Sequence, residues 1–333
     1  MTKSDSLIMK GVAILLMLFL HLFNQLSNVE LCQIYLFIGE KPFINLLTRC
    51  ANPVPFFLIL SGYGFYKLYS TVGKKGNIIR ILKLYIHYWI SLFIFIPIGA
   101  YMFGVNRYPG NIISIINNVT GWYTTYNGEI WFLFPYILLV LVSFLIFKFV
   151  NKVNWLLVFS LSGTIYFFSY LSIHLYGYYL FTHMLPYMPI LFLSLQFSFI
   201  LGMLIAKYVD IEKLKIYFKN KSVLGYGLLV LLIIIRLLIE TDIFHVIYAV
   251  LFIVLFSSIS HSKITNSILS ELGRRSTSIW FVHTYFCYYY FHDFIYSFKF
   301  PILIYIVLLA LSYISALIID SIYKWIITNM KLR

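Results

Sequence analysis

The sequence predicts an all-α integral membrane protein with about ten transmembrane helices and with both termini in the cytoplasm. Of the 333 residues, 62% are hydrophobic and only 11% are charged, whereas a soluble domain carries roughly 25% charged residues. The apolar runs are roughly 17 to 25 residues long, which suits membrane-spanning helices and is about twice the length of a barrel strand. Composition and run length therefore exclude a soluble domain and a membrane β-barrel.

The predicted spans follow one another through short connections, apart from two long ones on the same side of the membrane. The spans are Leu7–Leu26, Pro53–Tyr69, Leu84–Phe103, Ile130–Val150, Trp155–Ile173, Pro186–Ala206, Val223–Ile239, Ile243–Ser260, Ser276–Phe294 and Pro301–Ile327. The long connections are Ser27–Asn52 and Gly104–Glu129. Since no repeat, flexible linker or soluble segment interrupts this order, we expect a single multi-pass membrane domain over residues 1–333, without a fused extracytoplasmic domain.

Basic residues orient the chain, because the cytoplasmic loops of membrane proteins collect Lys and Arg. Twenty of the 25 Lys and Arg residues lie on the side that carries both termini, and the two long connections lie on the other side. Membrane topology therefore explains the net charge of +14, which indicates no nucleic-acid partner. A basic cytoplasmic surface also suits an anionic ligand.

The first span carries polar groups that a simple anchoring helix does not need. In its segment "MKGVAILLMLFLH", Lys10 and His21 are eleven residues apart. On an α-helix, such side chains differ by about 20° in direction and by about 16 Å in height. Lys10 is expected near the cytoplasmic surface and His21 near mid-depth, where an ionisable group usually faces a polar cavity and has a function. A neutral imidazole can take a proton from a hydroxyl, and a hydrogen bond to a neighbouring helix is the simpler alternative.

Five segments, in order along the chain, carry a resemblance to the membrane-bound acyltransferase-3 family. The first is a basic residue, ten others and then His, with Lys10 where the family more often has Arg. The others are "VPFFLILSGYGFY" from Val54, "EIWFLFPYILL" from Glu129, "FILGMLIAK" from Phe199 and "LGRRSTSIWFVH" from Leu272. The family often has His just before its Trp-Phe-Leu segment, where this chain has Glu-Ile. The matches run from residue 10 to residue 283 and so cover most of the chain.

The resemblance implies a membrane-bound O-acyltransferase of a bacterial plasma membrane. Such an enzyme moves an acyl group, usually acetyl, from cytosolic acyl-CoA to a hydroxyl of an exported or cell-surface glycan. The implied partners are membrane lipid, acetyl-CoA as the donor substrate, and a glycan or lipid-linked glycan as the acceptor. No metal is implied, and the oligomeric state is left open. The implied catalytic residues are His21, as general base or transient acyl carrier, and Glu129.

The residues assigned to the acyl-CoA donor are basic or small. They are Lys10, Ser61, Gly62, Arg80, Lys83, Arg274 and Arg275. Basic side chains suit the phosphates of CoA, Arg above all, and a Ser-Gly pair leaves room for a thin pantetheine arm. Topogenic charge and close helix packing are the alternatives. Topogenic charge is the favoured explanation for Lys74 and Lys75 of the predicted loop "KKGNIIRILK".

Trp131 and His283 are assigned to substrate binding from the same resemblance. Glu129 begins a predicted helix, where a carboxylate is favourable, and it is also a candidate to orient His21 or to bind a sugar hydroxyl. Packing within an aromatic helix is the alternative for His283. Arg236 and Asp320 lie within or near spans and predict structural ion pairs whose partners the sequence does not name. With neither a His-x-x-x-His pair nor a carboxylate cluster, the sequence indicates no metal site.

The rival interpretation is a lipid-linked glycan flippase or transporter without acyl-transfer activity. Such carriers also have many spans and buried charges, but they often show paired repeats with broken helices, which this sequence lacks. Acetyl-CoA binding distinguishes the two classes. Cys32 and Cys50 share a predicted outer loop and are either a disulfide or two free thiols.

Overall fold

A computed structural model describes residues 1–331, apart from the side chains of residues 70–75. Lys74 and Lys75 therefore lie outside the described side chains. The helices are α1 (Lys3–Phe23), α2 (Leu26–Glu30), α3 (Phe43–Leu47), α4 (Val54–Phe103), α5 (Ile112–Thr120), α6 (Leu133–Lys152), α7 (Trp155–Thr182), α8 (Met184–Tyr208), α9 (Ile211–Phe218), α10 (Ser222–Leu238), α11 (His245–Ser258), α12 (Lys263–Thr284), α13 (His292–Ser297) and α14 (Pro301–Asn329). A small antiparallel hairpin joins β1 (Phe37–Ile38) to β2 (Lys41–Pro42). A 3₁₀ turn covers Gly128–Ile130, and a π-helical turn covers Tyr285–Tyr289.

The prediction of an all-α membrane protein is confirmed. Within the part of the chain that the structure describes, seven helical stretches are long and apolar enough to cross a membrane, or eight if the bent pair α9 and α10 forms one span. The seven stretches are Lys3–Phe23, Phe43–Tyr69, Gly76–Phe103, Gly128–Lys152, Trp155–Thr182, Met184–Tyr208 and Pro301–Asn329. The predicted span Ile243–Ser260 corresponds mainly to α11, which has 14 residues and is about 21 Å long, less than the hydrocarbon core. The predicted count of ten and the cytoplasmic placement of both termini stay predictions.

The predicted loop "KKGNIIRILK" is helical, so that prediction is wrong. Helix α4 continues through this segment from Val54 to Phe103, and its single internal proline is Pro97. Lys, Arg, Ile and Leu are all compatible with a helix, and the one glycine of the segment, Gly76, weakens a helix without interrupting its hydrogen bonds. A cluster of charges marks the edge of an apolar span, but charge alone does not end a helix.

The described chain divides into two compact units. The first comprises Met1–Lys10, Pro53–Ile78 and Pro135–Ser267, and the second comprises Gly11–Asn52, Ile79–Phe134 and the residues from Ile268 onward. The expectation of one membrane domain over the whole chain, without a fused extracytoplasmic domain, stays a prediction.

In the first unit, two glycines bring α4 and α8 into direct backbone contact. A Cβ atom on Gly62 would lie 1.9 Å from the carbonyl oxygen of Phe199, and one on Gly202 would lie 2.0 Å from that of Ile59. Small residues allow membrane helices this close approach. Helix packing therefore explains why Gly62 is a glycine.

Arg236 pairs within the first unit, as the sequence predicts for a structural ion pair. Its guanidinium is almost fully buried and donates to Asp242 at 2.5 Å, to the carbonyl oxygen of Ile239 at 2.6 Å and to His245 Nδ1 at 3.2 Å. These three contacts join the end of α10 to the start of α11. A buried guanidinium with several partners stabilises a turn that would otherwise expose backbone carbonyls.

In the second unit, tyrosine hydroxyls donate to backbone carbonyl oxygens of α1. Tyr305 donates to the carbonyl oxygen of Leu15 at 3.0 Å, and Tyr296 donates to that of Leu22 at 2.8 Å. A tyrosine can pack its ring in an apolar interior and still satisfy its hydroxyl in this way. These bonds place the final turns of α1, which carry His21. The three cysteines of the chain, all in this unit, form no disulfide with one another.

We expect Gly62→Ala to lower the stability of the protein. The added methyl group would overlap a backbone carbonyl, so the two helices would have to separate, at a cost of about 1–3 kcal/mol. Thermal unfolding of the detergent-purified protein measures this loss. Gly64→Ala is the matched control on the same helix, because a Cβ atom there meets nothing within 4 Å. Equal melting temperatures for the two variants would contradict the packing role of Gly62.

Candidate active site

His21 lies in the last turns of α1 in the second unit, close to three polar side chains. Its Nδ1 atom is 3.8 Å from Oε2 of Glu129 and 3.4 Å from the hydroxyl of Tyr288. The ring centroid of His283 is 5.0 Å from that of His21. The His21 side chain is only 13% exposed. The structure therefore brings together three residues that the sequence assigned to catalysis or substrate binding and adds a tyrosine.

Glu129 is placed by the 3₁₀ turn that precedes α6. The side chain of Asn127 caps this turn, because its Oδ1 accepts a hydrogen bond from the backbone N–H of Glu129 at 3.3 Å. The indole N–H of Trp280 donates to the carbonyl oxygen of Glu129 at 3.4 Å. With its backbone held in this way, the partly buried carboxylate of Glu129 faces Nδ1 of His21. The favourable position of a carboxylate at a helix N-terminus does not by itself explain why Glu129 faces His21.

His283 has one satisfied and one unsatisfied ring nitrogen. Its Nδ1 lies 2.9 Å from the carbonyl oxygen of Trp280 and 3.2 Å from that of Ile279. Since a carbonyl oxygen only accepts, Nδ1 carries the proton and the lone pair is on Nε2. Nε2 is fully buried and has no hydrogen-bond partner among the side chains and backbone groups that the structure describes. A buried acceptor without a partner is costly, so this nitrogen suits a donor group from a bound molecule.

The arrangement has the parts required for proton transfer from a hydroxyl. A histidine can act as a general base when its other ring nitrogen faces a group that stabilises the imidazolium. Glu129 stands at that position beside Nδ1 of His21. The same histidine can also act as a nucleophile that carries an acyl group. The geometry is compatible with both roles.

Arg274 and Arg275, assigned to the donor, both pair with carboxylates in the structure. Arg275 donates to Glu271 at 2.7 Å and to Asp320 at 2.7 Å. Arg274 donates to Glu271 at 2.5 Å, and its side chain is 55% exposed. Arg275 is therefore engaged on both sides, whereas the exposed Arg274 can exchange its partner for a phosphate. Donor binding by either residue stays a prediction.

Asp320 is the centre of the ion network that contains Arg275, so Arg275 is the ion-pair partner that the sequence did not name. Besides Arg275, it accepts from the hydroxyl of Ser278 at 2.5 Å and lies 3.5 Å from Nε2 of His87. His87 Nδ1 is 3.2 Å from the carbonyl oxygen of Lys83. The network joins α12, α14 and α4 through groups with little access to solvent. It is a structural element, in agreement with the prediction of an ion pair.

The other predicted donor residues are divided between the two units. Lys10, Ser61 and Gly62 belong to the first unit, whereas Arg80 and Lys83 belong to the second. The hydroxyl of Ser61 is 3.3 Å from that of Tyr136, and Gly62 packs against α8. Arg80 and Lys83 are three residues apart on α4 and therefore share one face. Their roles toward a donor stay predictions.

Trp131 directly follows the 3₁₀ turn, and its ring packs edge-on against Phe132, with 5.9 Å between centroids. Its role in substrate binding stays a prediction. Residues 1–331 contain no group of three or more His, Cys, Asp or Glu side chains that could hold a metal ion. Independence from a metal also stays a prediction.

Sequence reasoning missed Tyr288 and Asn127. On a regular α-helix, Tyr288 would lie about 140° around the axis from His283, so helical periodicity gives no reason to place both near His21. The aromatic run that follows His283, "YFCYYYFHD", was the available signal. The π-helical turn within that run changes the direction of its side chains.

Comparison with known proteins identifies one family. A family model described as an acyltransferase domain, the acyltransferase-3 family, matches residues 7–321 and therefore nearly the whole chain. No curated protein matches the chain, and no solved structure matches it.

We expect Asp320→Ala to destabilise the protein strongly. It leaves Arg275 and His87 without a carboxylate that both now share, and breaking a buried ion pair on one side costs about 3 kcal/mol. A fall in the thermal midpoint of the detergent-purified protein measures the effect. Asp293→Asn is the control, since that side chain is fully exposed. A melting curve for Asp320→Ala that coincides with that of the control would contradict the structural role of the network.

Proposed function

Since this chain belongs to the acyltransferase-3 family, we propose that it transfers an acetyl group from cytosolic acetyl-CoA to a hydroxyl group of an exported or cell-surface glycan. That the chain is a multi-pass membrane acyltransferase follows from the family and from its apolar helices. The acetyl group, the CoA donor, the glycan acceptor and a bacterial plasma membrane are the proposed part.

The observation that carries the proposal is the contact between His21 and Glu129 beside the unpartnered nitrogen of His283. Glu129 lies 3.8 Å from Nδ1 of His21, so Nε2 of His21 is the nitrogen available for proton transfer. The lone pair of His283 Nε2 suits the O–H group of an acceptor. Sugars present several such hydroxyls, which supports a glycan as the acceptor class.

In the direct route, the acceptor oxygen attacks the thioester carbonyl carbon while His21 takes the hydroxyl proton. A C–O bond forms, the C–S bond breaks, and the proton passes from the imidazolium to the sulfur of CoA. Glu129 stabilises the imidazolium while it exists. In the alternative route, Nε2 of His21 first attacks the thioester carbonyl carbon, so an N–C bond forms, the C–S bond breaks and CoA leaves as the thiolate. The acceptor oxygen then attacks the acyl carbon, a C–O bond forms, the N–C bond breaks, and the hydroxyl proton passes to the thiolate.

Basic residues support an anionic donor on the predicted cytoplasmic side. We assign the donor phosphates to Arg80 and Lys83 of α4, with Arg274 as a further cationic group of the same unit. Lys10, which belongs to the first unit, stays a separate prediction for the donor. Ser61, Gly62 and Arg275 were assigned to the donor from the resemblance, but they now have neighbours that explain them structurally. Trp131 is kept as an aromatic surface for a sugar ring.

We expect His21→Ala to abolish acetyl transfer. General-base catalysis contributes typically 10²–10⁴-fold, and loss of an acyl carrier would be at least as severe. The assay measures release of free CoA thiol together with acetylation of surface glycan by NMR, with acetyl-CoA as the donor. His174→Ala is the control, because that histidine is exposed on α7. Full activity of His21→Ala would overturn the mechanism.

Glu129→Gln is expected to lower kcat by about tenfold to 1,000-fold while it leaves the KM for acetyl-CoA nearly unchanged, because only the charge that stabilises the His21 imidazolium is lost.

The two routes are distinguished by incubating the protein with radiolabelled acetyl-CoA in the absence of an acceptor. A radiolabelled acetyl group that stays on the wild-type protein, and not on His21→Ala, would select the acyl-carrier route.

Arg80→Ala is expected to raise the KM for acetyl-CoA by about tenfold with little change in kcat, because a phosphate contact far from the reacting carbon contributes uniform binding. Steady-state kinetics and direct binding of acetyl-CoA measure it. Lys213→Ala, an 84% exposed lysine of α9, is the control. An unchanged KM in Arg80→Ala would remove this residue from the donor site. Failure of the wild-type protein to bind acetyl-CoA at all would favour a glycan carrier.

A further inference from the structure

We infer that the π-helical turn Tyr285–Tyr289 positions both catalytic groups: Tyr288 orients His21, and Tyr289 orients the turn that carries Glu129. This inference rests on the proposed function, because it assigns positioning roles around the proposed base. Neither tyrosine exchanges a proton or an acyl group in the proposed reaction at the imidazole ring of His21. Their hydroxyls act through His21 and through the backbone of Gly128.

Tyr288 links His21 to Asn24 in a short hydrogen-bond chain. Its hydroxyl lies 3.3 Å from Oδ1 of Asn24, which can only accept, so the tyrosine donates there. The hydroxyl oxygen is then free to accept from Nδ1–H of His21, at 3.4 Å. This direction of bonding keeps the proton of neutral His21 on Nδ1 and the lone pair on Nε2. The base is therefore held in the tautomer that can take a proton from an acceptor hydroxyl.

Tyr289 contacts the other catalytic element. The backbone N–H of Gly128 donates to its hydroxyl oxygen at 2.7 Å. A Cβ atom at position 128 would lie 3.0 Å from the same oxygen, so the tyrosine sits tightly against the glycine. Next to it, the hydroxyl of Thr284 donates to Asn127 at 2.8 Å. The end of α12 and the π-helical turn thus hold the segment that precedes Glu129 at two successive residues.

The π-helical geometry explains how adjacent residues reach different targets. The turn is closed by the backbone N–H of Tyr290, which donates to the carbonyl oxygen of Tyr285 at 2.8 Å. Its two ends are anchored on Phe95 of α4: the ring of Tyr285 stacks on that ring at 4.4 Å, and the hydroxyl of Tyr290 donates to its carbonyl oxygen at 3.0 Å. Wide turns of this kind often occur at functional sites. Anchored in this way, the turn directs Tyr288 to α1 and Tyr289 to Gly128.

The test removes one hydroxyl at a time. We expect Tyr288→Phe and Tyr289→Phe each to lower kcat by about tenfold to 100-fold, part of the contribution of a positioned base, with the KM for acetyl-CoA and the melting temperature nearly unchanged. Tyr85→Phe is the matched control, because its hydroxyl also donates to a backbone carbonyl oxygen, that of Thr120 at 2.7 Å, but lies outside the π-helical turn and its anchors. Its kcat is expected to stay within about twofold of wild type.

A second pair of variants separates positioning from a general structural effect. Asn24→Asp keeps the oxygen that accepts from Tyr288 and is expected to retain most of the activity. Asn24→Leu removes that oxygen and is expected to lose about as much activity as Tyr288→Phe, and the double variant Asn24→Leu/Tyr288→Phe is expected to lose little more, because both act through one chain of bonds.

The outcomes are distinguishable from a failure of the proposed function. If wild type transfers acetyl, His21→Ala does not, and Tyr288→Phe and Tyr289→Phe keep wild-type kcat, the positioning inference is overturned while the proposed function stands. Loss of kcat equal to that in Tyr85→Phe, or loss that follows the melting temperature, also overturns it. A wild-type protein inactive toward acetyl-CoA and glycan would instead refute the proposed function, and with it this inference.

Discussion

Inside a membrane no water is available to a buried polar side chain, so each such group has to find its partner in the protein. The second unit contains two clusters that meet this constraint differently. Around Asp320, the carboxylate, guanidinium and hydroxyl groups all face one another. Around His21, one acceptor, Nε2 of His283, has no partner among the groups that the structure describes. The groups of the first cluster are paired with one another, whereas the second leaves one acceptor without a partner, which is why we propose the chemistry there.

Helix α12 connects these clusters. Arg275 and Ser278, in its middle, bond to Asp320, and His283 lies in its last turn. A catalytic group needs a rigid support, and the ion network supplies one within about two turns of the site. The π-helical turn then extends this support from His283 to the segment that carries Glu129 and to the end of α1. Loss of the Asp320 network would therefore lower the stability of the protein, and it would disturb the site around His21 only as a consequence.

Some of the predicted donor residues also have structural contacts. Gly62 was a candidate for a pantetheine arm, but its contact with the backbone of α8 explains it as a packing residue. Arg275 is a candidate for phosphate, and its Nε and one terminal nitrogen donate to the carboxylates of Glu271 and Asp320. Glycines and arginines serve helix packing and ion pairs in membrane proteins as readily as they serve ligands. The contacts of each side chain in the structure distinguish these roles, whereas the residue type in the sequence does not.

By itself the sequence determined the all-α membrane class and most of the span positions, and it indicated His21 as a candidate, because apolar run length and a polar group at mid-span are local features. Glu129 and His283 became candidates through the family resemblance. The tertiary structure alone decided that the predicted loop before Leu84 is helical, that Asp320 pairs with Arg275, and that Tyr288 meets His21. Tyr288 and His21 are 267 positions apart, and only helix packing together with a π-helical turn brings them together. Local pattern gives the period of one helix, whereas contacts between helices depend on how all of them pack.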